Sequence, residues 1–393
     1  MKTISKILIF VSMSLALSGC DDFLTKEPET NLSPNTFFSS EAELELWTNR
    51  FYSLFAGPDT DAIQVSDIQI AKNLSSVQQG TRSPATENWG TSAWAYLRYI
   101  NYYLERSGNC SDETVRQRYD GVAYFFRALF YFEKVRKYGD IPYYDFVIPS
   151  NDWASLKRPR DSRGFVMKKV MEDLDRAITD LPDNWPSDAL YRLSKNAARA
   201  MKARAALYEG TFRKYHGIDL PENDWKYYLD LSAKTSEEFI TNSGYGLYTS
   251  GGTQTAYRDL FVSEDAQQIE VVLARDYNKG LSVFHNSTFY SLNTSYGRPG
   301  LTRKIVASYL MADGTRFTDK AGWETMEFRD ECQNRDPRLA QSIRTPGYTR
   351  INSTKVEVPS LSTCMTGYQP IKWVIDDTSM DSNTAPCATC IPI

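Results

Sequence analysis

Between Ser40 and Ile240 apolar residues recur at helical spacing in runs separated by caps and breakers. The first run opens at Ser40, with Glu43 placed to complete a capping box, and carries Leu44, Trp47, Phe51, Leu54 and Phe55 on one face before Gly57-Pro58 stops it. A second run carries Trp94, Leu97, Ile100 and Leu104 and stops near Gly108. A third begins at Ser111, with Asp112 and Glu113 in its first turn to suit the helix dipole, and continues through Val122, Phe125, Phe126, Leu129, Phe132 and Val135 to Gly139. Its centre is apolar nearly all round, which predicts a helix buried on several sides. The fourth carries Val166, Val170, Leu174, Ala177 and Leu181 ahead of Pro182. The fifth, from Ser194 to about Tyr215, is rich in alanine (Ala197, Ala198, Ala200, Ala203, Ala205, Ala206), so neighbouring helices can approach it closely. The sixth extends from about Trp225 to Ile240. Helices in pairs suggest an α-hairpin solenoid of the tetratricopeptide kind, although the repeat of about 34 residues that defines that motif is not regular here.

Two stretches depart from this pattern. A loop of about thirty residues, rich in Ser, Gln, Asn and Gly, separates the first two helices; loops beyond about 12–15 residues are usually functional or disordered. After Gly244 the chain becomes loop-rich, with Gly, Ser, Thr, Asn and aromatics interleaved, and Ile269 to Leu273 reads as a short strand. No Pro- or Gly-rich linker divides the halves, so the second part is expected to pack on the helices.

The N-terminus carries its own signal. Lys2 and Lys6 precede an apolar run from Ile7 to Leu17, which is shorter than the roughly 20 residues a membrane-spanning helix needs and fits the core of a cleaved signal peptide. Leu17-Ser18-Gly19-Cys20 resembles a lipobox, in which the Cys20 thiol takes a diacylglycerol and becomes the new N-terminus; an ordinary secretory signal with a chance cysteine is the alternative. Acyl chains contribute about 0.8 kcal/mol per buried CH₂, so several chains anchor stably. Asp21, Asp22 and the polar stretch to Asn35 read as a tether.

Composition narrows the class. About 370 residues after cleavage suffice for one large or two ordinary domains. Apolar content of 41% argues against a disordered chain, and a net charge of -4 with no basic tract argues against a nucleic-acid partner. Cys110, Cys332, Cys364, Cys387 and Cys390 are odd in number and widely spread, unlike a disulfide framework; Cys387 and Cys390 form a lone CxxC without metal-ligand partners. Only His216 and His285 are present, and there is no GxSxG, HExxH, phosphate-loop or dinucleotide signature, so no catalytic residue, metal site or cofactor is predicted.

Several motifs, in order, resemble the SusD/RagB family of nutrient-uptake lipoproteins of Bacteroidetes. Cys20-Asp21-Asp22-Phe23-Leu24 and Pro28 resemble the family's opening, and Phe37-Phe38 with Glu41-Ala42-Glu43-Leu44 follow. Trp94, Tyr99-Ile100 and Asn101 resemble its W…YxxIxxxN helix, with the asparagine closer than the family pattern has it. Arg127-Ala128 through Tyr138-Gly139-Asp140-Ile141-Pro142, then Val306 to Gly314, Asn334-Arg335-Asp336-Pro337-Arg338-Leu339, Thr366-Gly367-Tyr368 and Ile371-Lys372-Trp373 complete the series. The resemblance implies a mainly α fold, a tetratricopeptide-like helix-pair solenoid with a loop-rich ligand-binding part containing short strands. It divides the chain into a signal peptide (1–19), a lipidated N-terminus and tether (20–38), a helical region (39–244) and a C-terminal region (245–393). Family members continue past the equivalent of Ile393 into a further amphipathic helix, so the last region is expected to be incomplete, leaving apolar surface on the third helix pair. The implied role is non-enzymatic: a lipid-anchored outer-membrane protein, facing the exterior with Asp21 and Asp22 as export signal, that binds a glycan or other nutrient and delivers it to a SusC-like TonB-dependent transporter.

A sugar ring offers an apolar C–H face that aromatic rings complement, with polar neighbours fixing the hydroxyls. The loop aromatics Trp89, Tyr290, Tyr296 and Trp323, with Asn88, Asn293 and Arg298 beside them, are therefore the candidate ligand-binding residues, and the resemblance implies aromatics near the Trp89 loop and the Tyr296 to Trp323 region. Taken singly, each of these rings reads more readily as ordinary packing than as a ligand contact, and the periodic or motif positions of Trp47, Trp94 and Trp373 mark those as structural. A surface glycoside hydrolase, its two carboxylates drawn from 49 acidic residues, and a tetratricopeptide scaffold that binds only proteins are the alternative functions.

Overall fold

A computed structural model describes residues 36–55, 66–83, 89–187, 189–278, 280–295, 297–351 and 353–375, together with the backbone of 391–392. The signal sequence, Cys20 and the tether to Asn35 lie outside the described residues.

The helices form where caps and apolar spacing place them. Helix α1 (Glu41–Asn49) opens with the Ser39 and Ser40 amides donating to Glu43 Oε2 at 2.8 and 3.2 Å, then tightens into a 3₁₀ turn, Arg50–Leu54, that buries Phe51. Helix α2 (Ala95–Leu104) buries Leu97, Ile100 and Asn101, and α3 (Glu113–Tyr138) starts on Asp112, whose Oδ1 accepts from the Val115 amide at 3.0 Å. The all-round apolar pattern of α3 is explained: Val122, Phe125, Phe126, Phe132 and Val135 are all buried. Gly139 ends it with φ 74°, in the left-handed range that glycine tolerates. Ser162 caps α4 (Arg163–Asp180), Ser194 caps α5 (Lys195–His216) and Asp224 caps α6 (Trp225–Asn242), each side chain accepting an amide of the first turn.

The pairs α3/α4 and α5/α6 make the most extensive helix contacts. Glycines permit them: a Cβ on Gly121 would lie 2.9 Å from the Leu181 amide nitrogen, and one on Gly210 would lie 2.8 Å from Leu229 Cδ2. Ala197, Ala198, Ala205 and Ala206 of α5 are buried as the small-residue pattern predicts. The first pair is looser. Helices α1 and α2 each pack on α3 and meet through Trp47, which stacks on Tyr102 at 5.4 Å and donates from Nε1 to Tyr99 O at 3.1 Å. Leu207, Tyr215, Tyr227 and Ile240 of the third pair are exposed.

Beyond α6 the described residues form one further long helix, α7 (Gly252–Val262), then short helical turns and two-residue ladders. Strand β1 (Gln69–Ile70), β2 (Ala274–Arg275), β3 (Gly300–Leu301) and β4 (Ile391–Pro392) pair antiparallel, β1 with β3 and β2 with β4. The strand expected over Ile269–Leu273 is instead a turn, because the Glu270 and Val271 amides bond back to Gln267 O; strand pairing begins only at Ala274. Small separate cores, Val306/Leu339/Ile343 and Tyr348/Ile371/Val374, hold this part together.

The motifs mostly serve the fold. Buried Arg127 forks onto buried Asp173, Nε and Nη2 donating at 2.7 and 2.6 Å, which locks α3 to α4. Arg335 donates to the carbonyls of Val306, Tyr309 and Glu331 at 2.7, 2.9 and 2.8 Å, fixing the turn around the Asp336 cap. Among the described residues no helix is long and apolar enough to cross a membrane.

Candidate functional site

The start of α2 and the segment 142–150 face each other across a groove of about 580 Å³, lined chiefly by Trp89, Trp94, Tyr99, Tyr144, Phe146 and Ile148. Polar side chains fix its far wall. Asn101 Nδ2 donates to Tyr144 O and Phe146 O at 3.0 and 3.1 Å, and Arg98 Nη1 donates to Ile148 O at 2.9 Å. Glu105 Oε1 accepts from the Val147 amide at 2.6 Å. The Tyr131 hydroxyl donates to Tyr144 O at 3.0 Å and accepts from the Tyr144 amide at 2.6 Å. The Tyr144 hydroxyl donates to Ser155 O at 2.7 Å, and burial holds its pKa above the ordinary phenol value. The wall is therefore preorganised, and among the described residues the one charged side chain that lines it, Arg98, is tied to the Ile148 carbonyl. Trp153, 65% exposed, stands at the adjoining turn Trp153–Leu156, of which Leu156 lines the groove.

Trp89 is the candidate that this groove absorbs. Its ring meets Trp94 and Tyr138 edge-on at 5.1 and 4.6 Å, and the Arg160 guanidinium lies 5.2 Å from its centre. Trp94 has a double role. It packs on Phe130 at 5.6 Å, as its periodic position suggests, and it also lines the groove. Beneath it Lys134 lies 5.3 Å from the Trp94 ring, its pKa lowered by burial and then by Lys137. Asn88 lies outside the described residues.

The remaining described candidates do not line this groove; Arg298 and Trp323 connect to the β1/β3 ladder, and Tyr290 and Asn293 lie on a separate short helix. Tyr290 and Asn293 belong to the turn of helix Ser287–Leu292 and its C-cap, with Asn293 Oδ1 accepting from the Ser295 amide at 2.7 Å. Arg298 sits two residues before β3 with φ 48°; its guanidinium donates to Leu361 O, and its own carbonyl accepts from the Met365 amide at 3.1 Å. Trp323 joins the same node through Arg303, which donates from Nη2 to Trp323 O at 2.7 Å with its guanidinium 5.5 Å from the indole. Tyr296 lies outside the described residues. The long loop between the first two helices is stitched onto this node: the Lys72 amide donates to Gly297 O at 2.7 Å, Thr302 N to Ile68 O at 2.8 Å, and Lys304 pairs with Asp67.

Of the described candidates, Trp89 thus lies in a groove on the helical side, Arg298 and Trp323 at a node on the loop-rich side, and Tyr290 and Asn293 on a short helix of that side. Sequence reasoning missed Tyr144, Phe146 and Ile148 as groove residues; the only available signal was the aromatic run just after Pro142, in a segment with no period. Among the described residues no group of His, Cys, Asp and Glu is placed to hold a metal, and Cys110, Cys332 and Cys364 are not disulfide-bonded. His285 is buried against Tyr277 at 4.7 Å, and His216 packs on Phe212 at 4.6 Å.

Comparison with known proteins gives consistent results. The family model described as "Starch-binding associating with outer membrane" matches residues 22–207, and that of the SusD family matches 269–387. SusD-like protein P2 of Formosa agariphila is 28% identical over 226 residues, 53% of this chain and 44% of its own length. SusD-like protein P25 of the same organism is 22% identical over 302 residues, 71% of this chain and 53% of its own. The chain therefore spans about half the length of these curated relatives. Of solved structures, a SusD-like protein from Bacteroides fragilis superposes with a TM-score of 0.69 at 24% identity, covering 93% of this chain and 74% of that one. A SusD-like carbohydrate binding protein from the same species superposes at 0.67 and 18% identity, covering 91% and 72%. At these identities the structural likeness establishes the fold.

Proposed function

Because the chain belongs to the SusD family, we propose that it is a surface-exposed outer-membrane lipoprotein that binds a glycan or other nutrient and delivers it to a SusC-like TonB-dependent transporter. The observation that carries the binding half is the groove at Trp89: aromatic and aliphatic side chains on a wall held rigid by Asn101, Arg98 and Glu105. Such a surface takes the C–H faces of sugar rings, and its rigidity lowers the ordering cost of binding. Trp323 and Arg298 at the β1/β3 node, and Tyr290 and Asn293 on the loop-rich side, would extend the contact, with Tyr296 and Asn88 as further contacts on the same reading.

Hydrolysis needs two carboxylates flanking the scissile bond, about 5–9.5 Å apart. No Asp or Glu is among the described residues that line the groove, which favours binding over catalysis there. The transporter supplies the movement of substrate, so this chain needs only to capture and release.

Calorimetry of the mature protein against a panel of α- and β-linked neutral oligosaccharides tests the proposal. Trp89→Ala, Tyr290→Ala, Tyr296→Ala and Trp323→Ala should each be compared with the parent. Loss of a stacking ring should weaken binding by about 1 kcal/mol or more, roughly fivefold, in each variant that keeps the parent fold. Unaltered affinity in all four variants would remove this site. Turnover of any panel glycan would favour a hydrolase, and failure of every small ligand would favour a protein-binding scaffold.

A further inference from the structure

A second cavity lies where α7 meets the turn that carries the Arg335-Asp336-Pro337-Arg338 motif. It measures about 290 Å³, and Tyr257, Ile305, Tyr309, Leu310, Asp336 and Arg338 line it. None of these residues lines the groove at Trp89.

Its walls are fixed from both sides. The Asp336 amide donates to Leu310 O at 2.9 Å, and the Tyr309 hydroxyl donates to Ser342 Oγ at 2.9 Å. Gln341 clamps α7 in place: its Oε1 accepts from the Arg258 amide at 3.1 Å and its Nε2 donates to Thr253 O at 2.9 Å. Tyr257, next to Arg258, is therefore held opposite Arg338. Its phenol is pushed above the ordinary value by burial and by the neighbouring Tyr309.

The charges cancel. Arg338 forks onto Asp336, Nε to Oδ1 at 3.0 Å and Nη2 to Oδ2 at 2.5 Å, so the cavity has no net charge to attract a phosphate or a carboxylate. Two polar groups remain available: Arg338 Nη1 and the Tyr257 hydroxyl, neither of which has a hydrogen-bond partner among the described residues. Phenol rings, Ile305 and Leu310 supply the apolar part. A volume near the lower end of ligand cavities, about 300–1,000 Å³, suits one ring better than a chain.

We propose that this cleft binds a single neutral sugar ring, as a site separate from the groove at Trp89. Tyr257 and Tyr309 would cover the C–H face, while Arg338 Nη1, the Tyr257 hydroxyl and the Asp336 carboxylate engage adjacent hydroxyls. The inference rests on the saccharide-binding reading for the class of ligand, and on the cleft's own geometry for the place.

Saturation-transfer NMR and titration of the full chain decide it, with methyl α-glucopyranoside, methyl β-galactopyranoside and xylose as neutral probes and glucuronate and inorganic phosphate as charged ones. At least one neutral probe should bind in the millimolar range. Its affinity should fall about fivefold in Tyr257→Phe, which removes one hydroxyl from a folded background, and also in Arg338→Gln, but not in Trp89→Ala. Retention of the parent melting temperature shows which of the two cleft variants is interpretable. The cleft is refuted if no neutral probe binds, if binding survives both cleft variants, if Trp89→Ala abolishes it, or if phosphate or glucuronate binds more tightly. Oligosaccharide binding at the groove, measured alongside, tells the two sites apart: its persistence with a silent cleft refutes only the cleft, and its absence refutes the function proposed above.

Discussion

Asp120 shows how much one side chain's setting depends on its neighbours. It lies on α3 beside Tyr103 and Ser107, with Arg116 Nε 4.0 Å away. Burial pushes its carboxyl up to about 6, against the opposing influence of Ser107, Tyr103 and Arg116. The folded protein then holds this proton more tightly than the unfolded chain, whose carboxyl sits near 3.8. The stability Asp120 contributes is therefore fully present below the unfolded value and is lost as pH rises towards 6. Replacing it with Asn removes the titration. Relative to the parent, Asp120→Asn should gain about 1–2 kcal/mol between roughly pH 4 and pH 7.5, a value below the full conversion of the shift because the group is partly solvated. Urea denaturation at the two pH values checks this; a difference that does not change with pH would assign the effect to something other than ionisation.

Helix pairs depend on positions that the helical period alone does not single out. Gly121 and Gly210 both sit inside long helices, where Ala would ordinarily gain about 1 kcal/mol in propensity. At Gly121 the added methyl meets the Leu181 backbone nitrogen at 2.9 Å and Asp180 Cβ at 3.1 Å, where the chain turns out of α4 and cannot easily give way. At Gly210 the added methyl meets the Leu229 side chain first, Cδ2 at 2.8 Å and Cγ at 2.9 Å, with the Leu229 backbone nitrogen farther off at 3.1 Å. Gly121→Ala should therefore lose about 1–2 kcal/mol net, while Gly210→Ala should stay within about 1 kcal/mol of neutral. Thermal melts of the two variants compare them directly, and equal effects would show that the α3/α4 approach is less constrained than these distances require. The helices themselves are readable from the sequence because caps, stops and apolar spacing are local. Strand β2 begins a few residues later than the apolar run suggests, because its pairing partner lies more than a hundred residues away.

For the whole molecule, attachment and recognition are separate questions. Lipid on Cys20 is the one anchor that the sequence suggests, so Cys20→Ala should shift the protein from the membrane to the soluble fraction when cells are fractionated. Tight membrane association of that variant in cells lacking a partner barrel would count against the anchor, and protease treatment of intact cells tests exposure at the surface. By itself the sequence determined the helical elements and their caps, the motif series that marks the family, and the aromatic character of the loops. These follow from spacings of a few residues and from residue chemistry. Only the tertiary structure decided which rings share a surface: Trp89 joined Tyr144, Phe146 and Ile148 in a groove, while Arg298 and Trp323 were drawn to the β1/β3 node. It likewise decided that Asp120 would titrate near 6 and that Tyr257 would face Arg338. Those outcomes rest on contacts between residues far apart in the chain, set by how the helices and loops pack, and no local pattern encodes that distance.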